Sequence, residues 1–190
     1  MSIGKQNKMK TLFKKVKLLI LDVDGVLTRG EIIYDDRDRE LKIFNVKDGL
    51  GIFLLRRLGI KTILLSAKNS PVLARRARDM RVEEVMGNII PKERALEGIK
   101  RKYKVAEDEI CFVGDDLIDL ELIKRVGVGV AVKGAPLAVR RCAQYVTANG
   151  GGEGAVREVV ELIITAKKLE KRLYRLLKEL KPASRRKPSN

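Results

Sequence analysis

Five short strand-like runs recur along the chain with longer helix-like stretches between them. They are KLLIL at 17–21, KTILL at 61–65, ICFV at 110–113, VGVAV at 128–132 and QYVT at 144–147. A weaker run, EVM, lies at 84–86. Strands buried on both faces read as continuous apolar runs, and such runs alternating with helices call for a parallel sheet covered on both sides. Helical patterns fall at 48–58, 70–80, 91–103, 116–125 and 135–141. Pro71, Pro91 and Pro136 stand where helices should begin, a favoured place for proline. The expected fold is therefore α/β, a doubly wound, Rossmann-like parallel sheet. Residues 31–44, EIIYDDRDRELKIF, break the rhythm. Two strand-like segments flank a polar centre there, which predicts a small β-hairpin flap. No insertion is long enough to form a second domain.

Length and composition bound the rest. A chain of 190 residues with 45% apolar content suits one hydrophobic core. No apolar run approaches the length that spans a bilayer, and the first residues lack a signal-peptide pattern. Cys111 sits in an apolar run and reads as a buried hydrophobe. Together with the low cysteine count this predicts a reduced, cytoplasmic protein. Histidine is absent, which removes Ser-His triads and His-ligated zinc and leaves acid–base work to carboxylates, lysines or metal-bound water. The net charge of +16 belongs to the ends. Residues 1–17 carry six lysines and no acid. Residues 166–190 carry ten Lys/Arg against two Glu, so the body at 18–165 holds +2. A nearly neutral body with 4% aromatic residues argues against specific nucleic-acid binding. The expected layout is a basic extension at 1–14, a domain at 15–165, and a basic helix with a disordered tail at 166–190.

Ligands of open α/β sheets bind beyond the carboxyl ends of the strands. After KLLIL come Asp22 and Asp24, and after KTILL come Ser66 and Lys68. After ICFV come Gly114, Asp115 and Asp116, with Asp119 one turn on. Lys92 opens a helix after the weak strand. Carboxylates crowded at one edge repel each other, and an oxygen-rich site formed by Asp22, Asp24 and Asp115 suits Mg²⁺, which also recruits phosphate.

With these residues in place the chain resembles the haloacid dehalogenase superfamily of phosphatases. DVDGVLT at 22–28, Ser66, Lys92 and GDDLID at 114–119 are similar to its four motifs, in order. FNVKDGLGI at 44–52 and GGEGAVREV at 151–159 further resemble the 3-deoxy-D-manno-octulosonate 8-phosphate phosphatases, which have no separate cap domain and act in lipopolysaccharide synthesis. The resemblance implies a Mg²⁺-dependent sugar-acid phosphatase that works through an aspartyl phosphate. Asp22 would be the nucleophile and Asp24 the general acid–base. The metal would be held by Asp22, the Asp24 backbone carbonyl and Asp115. Ser66 would donate to the phosphoryl group and Lys92 would neutralise it. Asn45, Val46, Lys47, Asp48 and Gly49 match a substrate loop. Asp24, Lys68, Arg76 and Lys92 complete the implied substrate set. The implied assembly is a homotetramer in which the hairpin helps close a neighbour's site. Other outcomes kept open are an acylneuraminate 9-phosphate substrate, and a non-catalytic oligomerisation module like that fused to acylneuraminate cytidylyltransferases. The chain departs from the family at Ser66-Ala67-Lys68, where Thr-Gly-Arg is usual, and at Lys47, Phe53 and Glu153. A lysine in place of arginine loses the bidentate fork that grips carboxylates.

Ala155, Val159, Leu162, Ala166, Leu169, Leu173, Leu176 and Leu180 recur at spacings of four and three. This predicts a long amphipathic helix whose seam packs on its own domain or on another subunit.

Overall fold

The computed structural model describes residues 3–179. In chain order its elements are α1 (Ile3–Lys15), β1 (Leu18–Leu21), β2 (Ile33–Tyr34), β3 (Glu40–Leu41), α2 (Val46–Arg57), β4 (Lys61–Leu65), α3 (Pro71–Met80), β5 (Glu84–Met86), α4 (Leu96–Tyr103), β6 (Ile110–Gly114), α5 (Leu120–Arg125), β7 (Val128–Ala131), α6 (Leu137–Cys142), β8 (Tyr145–Val146), α7 (Ala155–Ala166) and α8 (Glu170–Glu179). Short 3₁₀ turns at Lys92–Ala95 and Leu117–Asp119 lead into α4 and α5.

The main sheet has six parallel strands in the order β5-β4-β1-β6-β7-β8. The chain winds outward from β1 in one direction, returns, and winds outward from β6 in the other. The strand order therefore reverses between β1 and β6, where Leu21 pairs with Val113. That switch point is where a crevice opens in doubly wound folds. β1 and β6 are buried along their whole length, as their unbroken apolar sequence requires. One helical layer joins α1, α7, α2 and α3 by mutual contact, and the other joins α4, α5 and α6.

The hairpin forms where it was expected, though its strands are only two residues each. Its turn is closed by Asp35, whose Oδ1 accepts from the amides of Arg37 and Arg39 at 3.0 and 2.9 Å. A side chain that mimics a backbone turn in this way is what Asp supplies at such positions.

Two regions differ from the sequence reading. The stretch read as a basic extension at 1–14 falls largely within α1 (Ile3–Lys15), which packs on α7. Met9, Phe13 and Val16 are buried in the core, with Leu12 partly so. The spacing 9, 12, 13, 16 is that of an amphipathic helix. Burial of Phe13 alone contributes about 1.5–3 kcal/mol. The C-terminal helix is also not continuous. Lys168 takes a left-handed conformation at φ 55°, and the amides of Lys168 and Leu169 bond back to Thr165 and Ile164. Such a closure ends α7 at Ala166, and α8 begins at Glu170. The heptad spacing survives the break because Leu169, Leu173 and Leu176 still turn inward onto the domain core. Leu180 and the tail lie outside the described residues.

Candidate active site

β1 delivers Asp22 to the switch point, and its amide donates to Val113 O of β6 at 3.0 Å. The chain then folds back on itself. The Val23 carbonyl accepts from the amides of Val26, Leu27 and Thr28. The Thr28 hydroxyl accepts from Gly25 and Gly30. Gly25 has φ +88°, and a Cβ there would lie 1.8 Å from Asp115 Oδ2. Only glycine satisfies both demands, so the G of DVDG sets how closely the two acidic loops approach. The GGEG segment packs against the same loop: the Gly152 amide donates to Val26 O at 2.9 Å, and a Cβ on Gly151 would meet Gly25 O at 1.7 Å.

Lys92 is the centre of the cluster. Its side chain is 0% exposed, and its Nζ lies 2.8 Å from Asp22 Oδ1 and 2.6 Å from Asp119 Oδ1. Asp119 Oδ2 accepts from the amides of Asp115 and Asp116 at 2.9 and 3.3 Å. Asp119 therefore fixes both the lysine and the 114–116 turn. Burial works against the charge on Lys92, but the two carboxylates outweigh it and hold its pKa above the usual lysine value. Burial likewise pushes the Asp22 pKa up; Lys92 opposes this and Asp119 adds to it. Asp115, pressed by burial and by its hydrogen bond to Asp22, is pushed up to about 8.

Carboxylate oxygens of Asp22, Asp115 and Asp119 lie within 4.8 Å of one another. Such a concentration of negative charge in a buried corner, with a single lysine to balance it, fits a hard divalent cation with oxygen ligands. Both Asp119 oxygens are already engaged, which leaves Asp22 and Asp115 as the carboxylates able to hold one. The Asp24 carboxylate stands outside this cluster. Its Oδ1 accepts from Lys42 Nζ at 2.5 Å.

Asp22, Asp24, Ser66, Lys68 and Asp115 line one cleft of about 210 Å³, together with Lys42 and Glu40 from the hairpin. Ser66 is buried, and its Oγ accepts from the Lys68 amide at 3.1 Å, while the Lys68 side chain is exposed at the mouth.

The other substrate residues expected from the sequence do not line this cleft within the chain. Val46 and Gly49 line a different depression with Arg76, Leu50 and Phe53. Asn45 caps α2, accepting from the Lys47 amide at 2.8 Å, and donates to Gly152 O. The Lys47 side chain is exposed. Arg76 donates to Asn45 O at 3.2 Å and lies over the Phe44 ring. Asp48 is buried, and its Oδ1 accepts from the Arg157 amide at 2.7 Å, which ties α2 to the start of α7. Glu153 pairs with Arg29 at 3.4 Å rather than facing the cleft unpartnered. Two residues of the site were missed as functional. The role of Asp119 is hidden behind its ordinary look as a turn former. Lys42 lies in the hairpin, outside every motif, and no local spacing marks it.

Residues 65–159 match the family described as haloacid dehalogenase-like hydrolase. The chain is 35% identical over 158 residues to the 3-deoxy-D-manno-octulosonate 8-phosphate phosphatase of Haemophilus influenzae, covering 83% of this chain and 88% of that one. It is 38% identical to the Escherichia coli K12 enzyme of the same name over 154 residues, 80% and 81% of the two chains. The crystal structure of the Moraxella catarrhalis phosphatase of that name, in complex with magnesium ion, phosphate ion and KDO, superposes with a TM-score of 0.87 at 33% identity. It covers 90% of this chain and 98% of the other.

Proposed function

The chain belongs to the haloacid dehalogenase-like hydrolases and is a phosphomonoester hydrolase, and we propose that its substrate is 3-deoxy-D-manno-octulosonate 8-phosphate. The observation that carries the chemistry is the buried Lys92 ammonium set against Asp22 at the sheet's switch point. The likeness to the octulosonate phosphatases over four-fifths of the chain supports the substrate.

Asp22 attacks phosphorus, and the bond from phosphorus to the sugar oxygen breaks. Asp24 gives its proton to that leaving oxygen. In the second half, Asp24 takes a proton from water, the water oxygen attacks phosphorus, and the Asp22 carboxylate leaves. Lys92 balances charge on Asp22 and on the phosphoryl oxygens throughout, and the Ser66 hydroxyl donates to one of them. Asp22, Asp115 and the backbone carbonyl of Asp24 would hold Mg²⁺, whose charge lets a dianionic phosphate approach a carboxylate. Lys68 at the mouth meets the anionic end of the sugar.

The hairpin and the start of α2 expose Ile32, Tyr34, Leu41, Ile43, Val46 and Leu50. An apolar surface of this kind on one edge is suited to a second copy of the chain. Pairing there, within a homotetramer, would bring the Asn45–Gly49 loop and Arg76 of one subunit toward the cleft of another. That gives these residues their substrate role.

The test is phosphate release from octulosonate 8-phosphate and from an acylneuraminate 9-phosphate, with and without Mg²⁺. The expected result is a Mg²⁺-dependent preference of at least about tenfold in kcat/KM for the former. Equal or reversed values would overturn the substrate assignment.

A further inference from the structure

Lys42 follows β3 on the hairpin, eighteen residues from Asp24. Its side chain is 7% exposed, and its Nζ bridges Asp24 Oδ1 and Glu40 Oε1, the latter at 3.1 Å. Burying an ammonium is costly unless it is paired. Burial does pull the Lys42 pKa down, but the two carboxylates outweigh it and leave the group charged. Glu40, on the hairpin itself, would suffice to satisfy a lysine whose task was to fix the flap. The second bond instead reaches out of the hairpin to the carboxylate that faces the cleft. Among the described residues, Lys42 is the cation paired with Asp24.

We propose that Lys42 is a positioning residue for proton transfer: its ammonium holds Asp24 Oδ1 and so leaves Oδ2 aimed at the leaving-group oxygen. Glu40 in turn steadies Lys42. Docking of the hairpin and orientation of the acid are then one event. Lys42 exchanges no proton. In the first half-reaction the proton moves from Asp24 Oδ2 to the leaving oxygen as its bond to phosphorus breaks, and in the second it moves from water back to Oδ2. This inference rests on the acid–base role given to Asp24 above.

The test is a double-mutant cycle of Lys42→Ala and Asp24→Asn on the full chain with Mg²⁺, using aryl phosphates of graded leaving-group basicity. Positioned acids contribute about 10²–10⁴ in rate, so Lys42→Ala should lower kcat about thirtyfold for phenyl phosphate. It should lower kcat less than about threefold for dinitrophenyl phosphate, which leaves with little help from an acid. KM should stay close to wild type. Lys42→Met, which keeps the buried stem, should behave as the alanine variant, and Lys42→Arg should recover part of the loss. The double variant should be no slower than Asp24→Asn alone, because both changes remove one function. Losses that multiply, a loss equal for every leaving group, or a loss confined to KM would overturn the proposal. If Asp24→Asn itself turns over like wild type, the acid–base role fails and the proposal with it. Aryl phosphates carry no sugar, so an enzyme that cleaves them but not octulosonate 8-phosphate fails the substrate assignment alone.

Discussion

The floor of the cleft and its hairpin side are built on opposite terms. At the floor, Asp22, Lys92, Asp119 and the 114–116 turn satisfy one another inside a single chain, and Lys92 is fully enclosed. On the hairpin side, the strands are two residues long and Tyr34, Ile43 and Val46 stand exposed. Between the two regions, Lys42 spans from flap to acid. Phosphoryl chemistry needs fixed charges in a dry corner, and one chain can supply those from adjacent strand ends. Choice among sugars needs a wall around the far end of the substrate, and in the proposed assembly a second copy of the chain supplies it. Damage to the floor should therefore abolish reaction on every phosphate ester. Damage to the hairpin surface should act mainly through assembly and substrate choice.

The largest effect is expected at Lys92. Lys92→Met leaves Asp22 and Asp119 facing each other without their shared cation. Removing one partner of a buried ion pair costs about 3–5 kcal/mol, which chemical denaturation would read. Turnover on sugar and aryl phosphates alike should fall by about a thousandfold, the scale of losing one electrostatic group aimed at the transition state. Next comes Gly25→Ala. The new Cβ collides with Asp115 and must adopt φ +88°. Strain of this kind costs about 1–3 kcal/mol, and the displaced carboxylate should weaken the response to Mg²⁺ in titrations of activity.

On the hairpin side, Tyr34→Glu places a charge in the exposed apolar patch. Sedimentation should show a smaller assembly at low protein concentration. In steady-state assays, kcat/KM for the sugar-acid phosphate should fall about tenfold while aryl phosphate hydrolysis changes little. A smaller effect separates the two regions by pH. Asp115 is pushed up to about 8 in the fold, whereas an unfolded aspartate titrates near 3.8. The fold therefore holds a proton that the unfolded chain has released, and metal-free stability should fall as pH rises between these values. Mg²⁺ binding to the ionised carboxylates should restore it. Thermal unfolding should thus show a shift with Mg²⁺ of a few degrees near pH 8, larger than at pH 5, and a shift independent of pH would contradict this.

Much of the floor was legible in the sequence because strand ends are local. A buried run places the residue that follows it at the sheet edge, and three such runs place Asp22, Ser66 and Asp115 on one edge. The hairpin was legible from DDRDRE, whose Asp35 closes the turn. Lys42 was not, because a contact across eighteen residues between a flap and a loop leaves no periodic trace. Asp119 was seen as a residue but not as the group that holds Lys92, since a buried acid and a turn-forming acid look alike in sequence. The helix at the N-terminus was legible in principle from Met9, Leu12, Phe13 and Val16, but the surrounding lysines made it read as a solvated extension. The break at Lys168 was invisible, because both α7 and α8 turn their leucines inward and so preserve one spacing across two helices.

In the proposed mechanism Asp22, held by Lys92, is the nucleophile. The most direct measurement is mass spectrometry of Asp24→Asn after acid quench with dinitrophenyl phosphate and Mg²⁺. The good leaving group lets the first half-reaction proceed, and loss of the base slows the second. A phosphoryl adduct is expected on the peptide that contains Asp22, formed in step with release of dinitrophenol, with no adduct when Asp22→Asn is added. Stoichiometric dinitrophenol release with no adduct on Asp22, or release that persists in the Asp22→Asn variant, would contradict that mechanism.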